Sequence, residues 1–191
     1  SPEDAIQFVD PDRKELDMAY HFESVDIGNH VKDFGLAKYK QIFSRYDETF
    51  KEKGWLSIFL ANHDQPRMVS KFGNDTAEFR ELSSKMLSTF VMTMRGTPYY
   101  YYGDELGMVN IRFNDINDYN DVETRNKYTQ IKNAGGDLDA YMENRKQTSR
   151  ENGRTPFQWD TTENAGFTTG KDYINFDDNG LKTTTFSLGV G

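Results

Sequence analysis

No cysteine occurs among the 191 residues, which excludes disulfides, thiol nucleophiles and thiolate metal sites but leaves the compartment open, with the cytoplasm as the favoured expectation. Basic charge is short as well: 23 Lys and Arg stand against 31 Asp and Glu, a formal net charge of −8. A nucleic-acid binder needs a basic footprint to neutralise phosphates, and no basic run occurs, so that class is excluded along with attraction to anionic membranes. Long apolar runs are also missing. The longest, Met86 to Met94, is interrupted by Ser88, Thr89 and Thr93 and is far too short to cross a bilayer. What the chain does have is aromatic: 14 Phe, 11 Tyr and 2 Trp, too many for a disordered polymer and suited to a core with ring-bearing surfaces.

Ser1-Pro2-Glu3-Asp4 combines a cap, a first-turn proline and early acids, which predicts a short helix stopping near Asp10-Pro11. Leu16 to Phe22 reads as a strand. From Leu36, the apolar residues Tyr39, Ile42, Phe43, Tyr46 and Phe50 recur at helical steps and predict an amphipathic helix ending before Gly54. Trp55 to Leu60 is a near-continuous apolar run of strand length, suited to burial on both faces. A second long helix is predicted over Thr76 to Met94, broken by Gly96-Thr97-Pro98, and Tyr99 to Tyr102 reads as a mostly core-facing strand. Strands separated by one long helix each require crossovers, so the fold class is α/β with consecutive parallel β/α units. Beyond Gly107 the pattern changes. Helices are predicted over Asp121 to Asn133 and Asp137 to Gln147, and Ser149 to Gly170 is a long loop holding Phe157, Trp159 and Phe167. Long loops with embedded aromatics in compact domains favour function.

The densest chemistry follows the second strand, in Phe59-Leu60-Ala61-Asn62-His63-Asp64-Gln65-Pro66-Arg67. Parallel α/β folds bind ligands at the carboxyl ends of strands, where His63 and Asp64 emerge. An Asx-type turn capping the strand is the plainer alternative. No G-x-S-x-G elbow, Walker loop or G-x-G-x-x-G occurs, and His21, His30 and His63 lack the spacing of a metal-binding helix. Asn175, Asp177, Asn179 and Gly180 imitate the start of a calcium loop, but Phe186 stands where the loop needs Glu. No metal site is assigned.

Phe59 to Arg67 resembles the strand-seven motif of the alpha-amylase superfamily of glycoside hydrolases. Met18 to Glu23 (MAYHFE), Arg95 to Met108 (RGTPYYYYGDELGM), Ser149 to Asp160 (SRENGRTPFQWD) and its extension Asn164 to Gly170 agree in order and spacing. Together they are similar to the branch of oligo-1,6-glucosidases and α-glucosidases, which includes trehalose-6-phosphate hydrolases and sucrose isomerases. The resemblance covers residues 1–178 and implies the closing part of a (β/α)8 TIM barrel. Residues 1–108 would be strands six to eight with their helices, 109–178 an extended loop and helix region walling the active site, and 179–191 a poorly matched tail. Ser1 and that tail then read as the edges of a segment of a larger enzyme, without strands one to five and the β-domain.

A retaining glycosidase needs a nucleophilic carboxylate and an acid/base carboxyl about 5–5.5 Å apart, which the resemblance places on strands four and five, outside this chain. It implies that Asp64 is the third acid, binding ring hydroxyls of the glucose and favouring its cationic transition state. His63 would donate a hydrogen bond to the same sugar. Arg150 would recognise the terminal glucose while paired with an aspartate from outside the chain, with Arg154 as a substitute. Glu23, after strand six, is a further candidate contact. Arg67 is expected to hold its loop by a salt bridge, Asp104 and Glu105 to form a packed turn, and Phe157 and Trp159 to buttress the long loop. The implied activity is retaining hydrolysis of α-glucosidic bonds in short oligosaccharides. The alternatives are trehalose-6-phosphate hydrolysis, sucrose isomerisation, or a non-catalytic interaction module like the transporter heavy chains. No cofactor is expected in this chain, with calcium left open for the full-length protein. Alone, the chain is expected to be inactive and to associate with itself or with the remaining half of the barrel, because unpaired strand edges invite pairing.

Overall fold

The computed structural model describes residues 1–27 and 35–169. His30, the calcium-like segment and the tail lie outside the described residues. Helix α1 (Pro2–Val9) begins as its sequence dictates: the Asp4 amide donates to Ser1 Oγ, and the Asp4 carboxylate accepts from the Ser1 amine. The strand predicted over Leu16 to Phe22 reduces to one parallel bridge, Ala19 to Leu56, followed by the single turn α2 (Glu23–Asp26). Helix α3 (Leu36–Phe50) buries Tyr39, Ile42, Phe43, Tyr46 and Phe50, the stripe that its periodicity picks out.

Strand β1 (Ser57–Ile58) sits inside a stretch, Leu56 to Ala61, that is buried throughout. Burial on both faces therefore holds from Leu56 onward, whereas Trp55 is exposed, and the paired part is short. A helix that periodicity does not announce, α4 (Met68–Phe72), follows. Helix α5 (Arg80–Thr93) starts later than predicted, because Asn74 Oδ1 accepts from the Thr76 amide and hydroxyl and holds that segment in a turn. Strand β2 (Thr97–Pro98) pairs in parallel with β1, Ser57 opposite Thr97. It starts ahead of the predicted Tyr99 to Tyr102 span, the amides of Thr97 and Tyr99 donating to the Leu56 and Ile58 carbonyls at 2.8 Å, and Gly96 suits the approach because a Cβ there would lie 2.6 Å from the Leu56 carbonyl oxygen.

The Ala19 segment, β1 and β2 thus form a partial parallel sheet with β1 in the middle. Helices cover one side, where Val9, Tyr46, Ile58, Leu60, Val69 and Val91 share one core. The opposite side carries a ring cluster: Tyr20 lies 5.8 Å from Phe59 and 5.3 Å from Tyr99, and Phe22 lies 5.8 Å from Phe59. Tyr20, Phe22 and Tyr99 remain exposed there.

Beyond β2, Gly103 (φ +88°) and Gly107 (φ +61°) bracket a short turn over Asp104–Leu106, the packed turn expected of Asp104 and Glu105. Helices α6 (Val122–Asn133) and α7 (Leu138–Thr148) follow, capped by Asp121 and Asp137. A further turn, Arg150–Arg154, is capped by Ser149.

Candidate active site

The site starts from the turn that ends the β1 segment. Asn62 Oδ1 accepts from the Asp64 amide at 2.8 Å, so the Asx turn is present, and it directs His63 and Asp64 away from the core. His63 Nε2 lies 3.2 Å from Asp64 Oδ2. The other carboxylate oxygen, Oδ1, accepts from Arg150 Nη1 at 3.1 Å and from Arg154 Nη2 at 2.8 Å. Arg154 Nε also donates to the His63 carbonyl at 2.7 Å. The structure therefore brings together His63, Asp64 and Arg150, the residues that the motif resemblance singles out, with Arg154 taking an equal share of the carboxylate.

Partial burial pushes the Asp64 carboxyl up, but the Arg150 hydrogen bond and the charges of His63, Arg154 and Arg150 pull it down and prevail, leaving it below the usual carboxylate range. Arg150 is held above its ordinary range by its bonds to Asp64 and Asp121. Asp121 is the residue that sequence reasoning missed. Its Oδ1 accepts from Arg150 Nε at 3.1 Å and Nη2 at 2.5 Å, while Oδ2 caps α6 by accepting from the Thr124 amide and hydroxyl. Local sequence shows the cap, whereas nothing in it joins positions 121 and 150.

Arg67 does hold its loop, though not by the expected salt bridge. Its side chain is fully buried, and its guanidinium donates to the carbonyls of Tyr102 at 2.6 Å, Asn152 at 3.1 Å and Thr155 at 3.4 Å. It also lies over the Tyr102 ring, 4.8 Å from its centroid. The hydroxyls of Tyr101 and Tyr102 reach the Gly153 carbonyl at 3.0 and 3.1 Å. Tyr100 and Tyr101 are half-buried against the core while Tyr99 and Tyr102 are exposed, so the core reading holds for half of this run; Tyr101 and Tyr102 anchor the loop bearing Arg150 and Arg154. Gly153 is required there, since a Cβ would meet the Gln65 carbonyl oxygen at 2.5 Å. Phe157 and Trp159 pack on each other, centroids 4.6 Å apart, with Trp159 exposed.

Glu23 is placed differently. Its carboxylate accepts from Arg45 Nη2 at 2.7 and 2.6 Å and from the Tyr46 hydroxyl at 3.1 Å, both on α3. Among the described residues no group of three or more His, Asp or Glu is placed to hold a metal ion, and no helix is long and apolar enough to cross a membrane.

A partial parallel sheet under helices, with a carboxylate, an imidazole and two guanidiniums gathered past the carboxyl end of its middle strand, places polar side chains where α/β enzymes bind their ligands. Residues 1–186 match the model for the alpha amylase catalytic domain, and the chain belongs to that family of glycoside hydrolases. It is 43% identical to the oligo-1,6-glucosidase of Parageobacillus thermoglucosidasius, over 91% of this chain and 32% of the relative. It is 45% identical to the trehalose-6-phosphate hydrolase of Bacillus subtilis, over 88% of this chain and 31% of the relative. Among solved structures, the trehalose-6-phosphate hydrolase of Bacillus licheniformis superposes with a TM-score of 0.88 at 41% identity, covering 95% of this chain and 34% of that one. The chain thus spans about a third of the length of the relatives it matches.

Proposed function

We propose that this chain forms part of a retaining α-glucosidase that acts on short oligosaccharides with a terminal glucose. The observation that carries the reading is the Asp64 carboxylate, kept ionised at the end of the middle strand by Arg150 and Arg154. On this reading the Ala19 segment, β1 and β2 are the sixth, seventh and eighth strands of the barrel. Both arginines sit on Asp64 Oδ1, leaving Oδ2, beside His63, as the acceptor for a sugar hydroxyl. As the sugar flattens toward an oxocarbenium ion, its growing positive charge strengthens the interaction with the carboxylate. That is stabilisation of the transition state over the ground state. His63 donates to the same sugar, Arg150 reads the hydroxyls of the terminal glucose, and Glu23 is a candidate contact if its pairing with Arg45 opens. The nucleophile and the acid/base come from outside this chain, so the 191 residues alone are inactive.

The test is Asp64→Asn in the full-length polypeptide, assayed by release of nitrophenol from nitrophenyl α-glucoside. Turnover should fall on the order of a thousandfold, the scale for losing one preorganised transition-state contact. Undiminished turnover would sink the assignment.

A further inference from the structure

Asp121 holds Arg150 more completely than Asp64 does. Nε and Nη2 of the guanidinium both donate to Asp121 Oδ1, at 3.1 and 2.5 Å, whereas Asp64 receives Nη1 alone at 3.1 Å. Asp121 is also the more enclosed partner, its side chain 10% exposed against 50% for Asp64. Its second oxygen is fixed by the Thr124 amide at 3.0 Å and hydroxyl at 2.8 Å. Charge-assisted hydrogen bonds strengthen as water is removed from around them. The Asp121 side is therefore the anchor, and the Asp64 side is the one that yields.

We propose that Asp121 is a positioning residue that retains Arg150 at the site while Nη1 turns from Asp64 to a sugar hydroxyl. The inference rests on the reading of Asp64 and Arg150 given above, and it adds the first turn of α6 to the parts that shape the pocket. Because two of its nitrogens stay bound, Arg150 pivots about a fixed edge, and little ordering entropy is lost when substrate arrives.

Asp121→Ser separates anchoring from capping. Serine caps a helix about as well as aspartate, so α6 is retained, but its hydroxyl is too short to reach the guanidinium. In the full-length polypeptide, Asp121→Ser should raise KM about tenfold with kcat nearly unchanged, because the contact is made equally in ground and transition states. Asp121→Asn, whose single oxygen serves either Arg150 or the Thr124 amide but not both, should recover only part of the loss. Combined with Arg150→Ala, Asp121→Ser should add nothing further. An unchanged KM, or effects that simply add, would overturn the proposal. A readout independent of activity is hydrogen exchange of the Arg150 Nε proton by 15N NMR, slow in the parent and fast in Asp121→Ser; a proton equally protected in both would also overturn it. Loss of that protection supports the anchor even where Asp64→Asn keeps its activity, so such a result counts against the functional reading alone.

Discussion

Replacing Arg67 by methionine removes a buried cation while roughly keeping its volume. The side chain is fully buried, and its loss strips a donor from the carbonyls of Tyr102, Asn152 and Thr155. Thr155 keeps the Tyr102 hydroxyl at 2.8 Å, so two carbonyls are left short, those of Tyr102 and Asn152. An orphaned buried acceptor costs about 1–3 kcal/mol, giving ~2–6 kcal/mol for the pair. Loss of the cation–π contact with Tyr102 adds ~1–2 kcal/mol. Relief of the guanidinium's own desolvation offsets part of this, leaving a net destabilisation of about 3–5 kcal/mol, the scale for breaking a buried hydrogen-bond network. Urea unfolding followed by tryptophan fluorescence measures it, and with a urea slope of about 1–3 kcal/mol per molar the midpoint should fall by at least ~1 M. Arg67→Lys should resemble the methionine variant, because one ammonium cannot serve carbonyls on separate segments. A loss below ~1 kcal/mol in Arg67→Met, against that expected range, would refute the view of Arg67 as the tie between these loops.

The remaining predictions concern pH and association. Burial pushes the Asp104 carboxyl up to about 7 against the pull of Arg67, so between about pH 4 and 7 the folded chain holds a proton that the unfolded chain has lost. That contribution to stability is complete at low pH and is lost as pH rises through this window. Burial lowers His21 to about 4, which acts in the opposite sense but cancels between parent and variant. Asp104→Asn should therefore gain stability relative to the parent on going from pH 5 to pH 8, read by thermal unfolding; an equal offset at both values would refute it. The exposed rings of Tyr20, Phe22 and Tyr99, beside strand edges left unpaired among the described residues, should make the isolated chain associate. A concentration-independent monomer by light scattering would contradict that.

Helices with a full apolar stripe are legible in the sequence, and α3 buries the residues that its spacing marks. The five-residue α4 is too short for periodicity to register. Strand extents are harder, because a strand ends where its neighbours stop pairing. Leu16 to Phe22 has a strand-like composition, yet Ala19 alone forms a bridge. Within the site, the motif brings His63, Asp64 and Arg150, whereas Asp121 depends on a partner 29 residues away. Arg67 shows the same limit in another form. Its charge is visible in the sequence, but backbone carbonyls occur at every residue, and only the fold determines which of them it meets.

The cage around Arg67 also imposes an order in time. Arg67 and Thr155 are separated by 88 residues, and Asp64 and Arg150 by 86. At synthesis rates of about 5–20 residues per second, the guanidinium is made roughly 4–18 s before its last carbonyl exists. During that interval the growing chain carries a hydrated cation at a place that is later dry. The loop that carries Arg67 therefore cannot complete this set of bonds before the loop after α7 arrives, and the Asp64–Arg150 contact waits on the same loop.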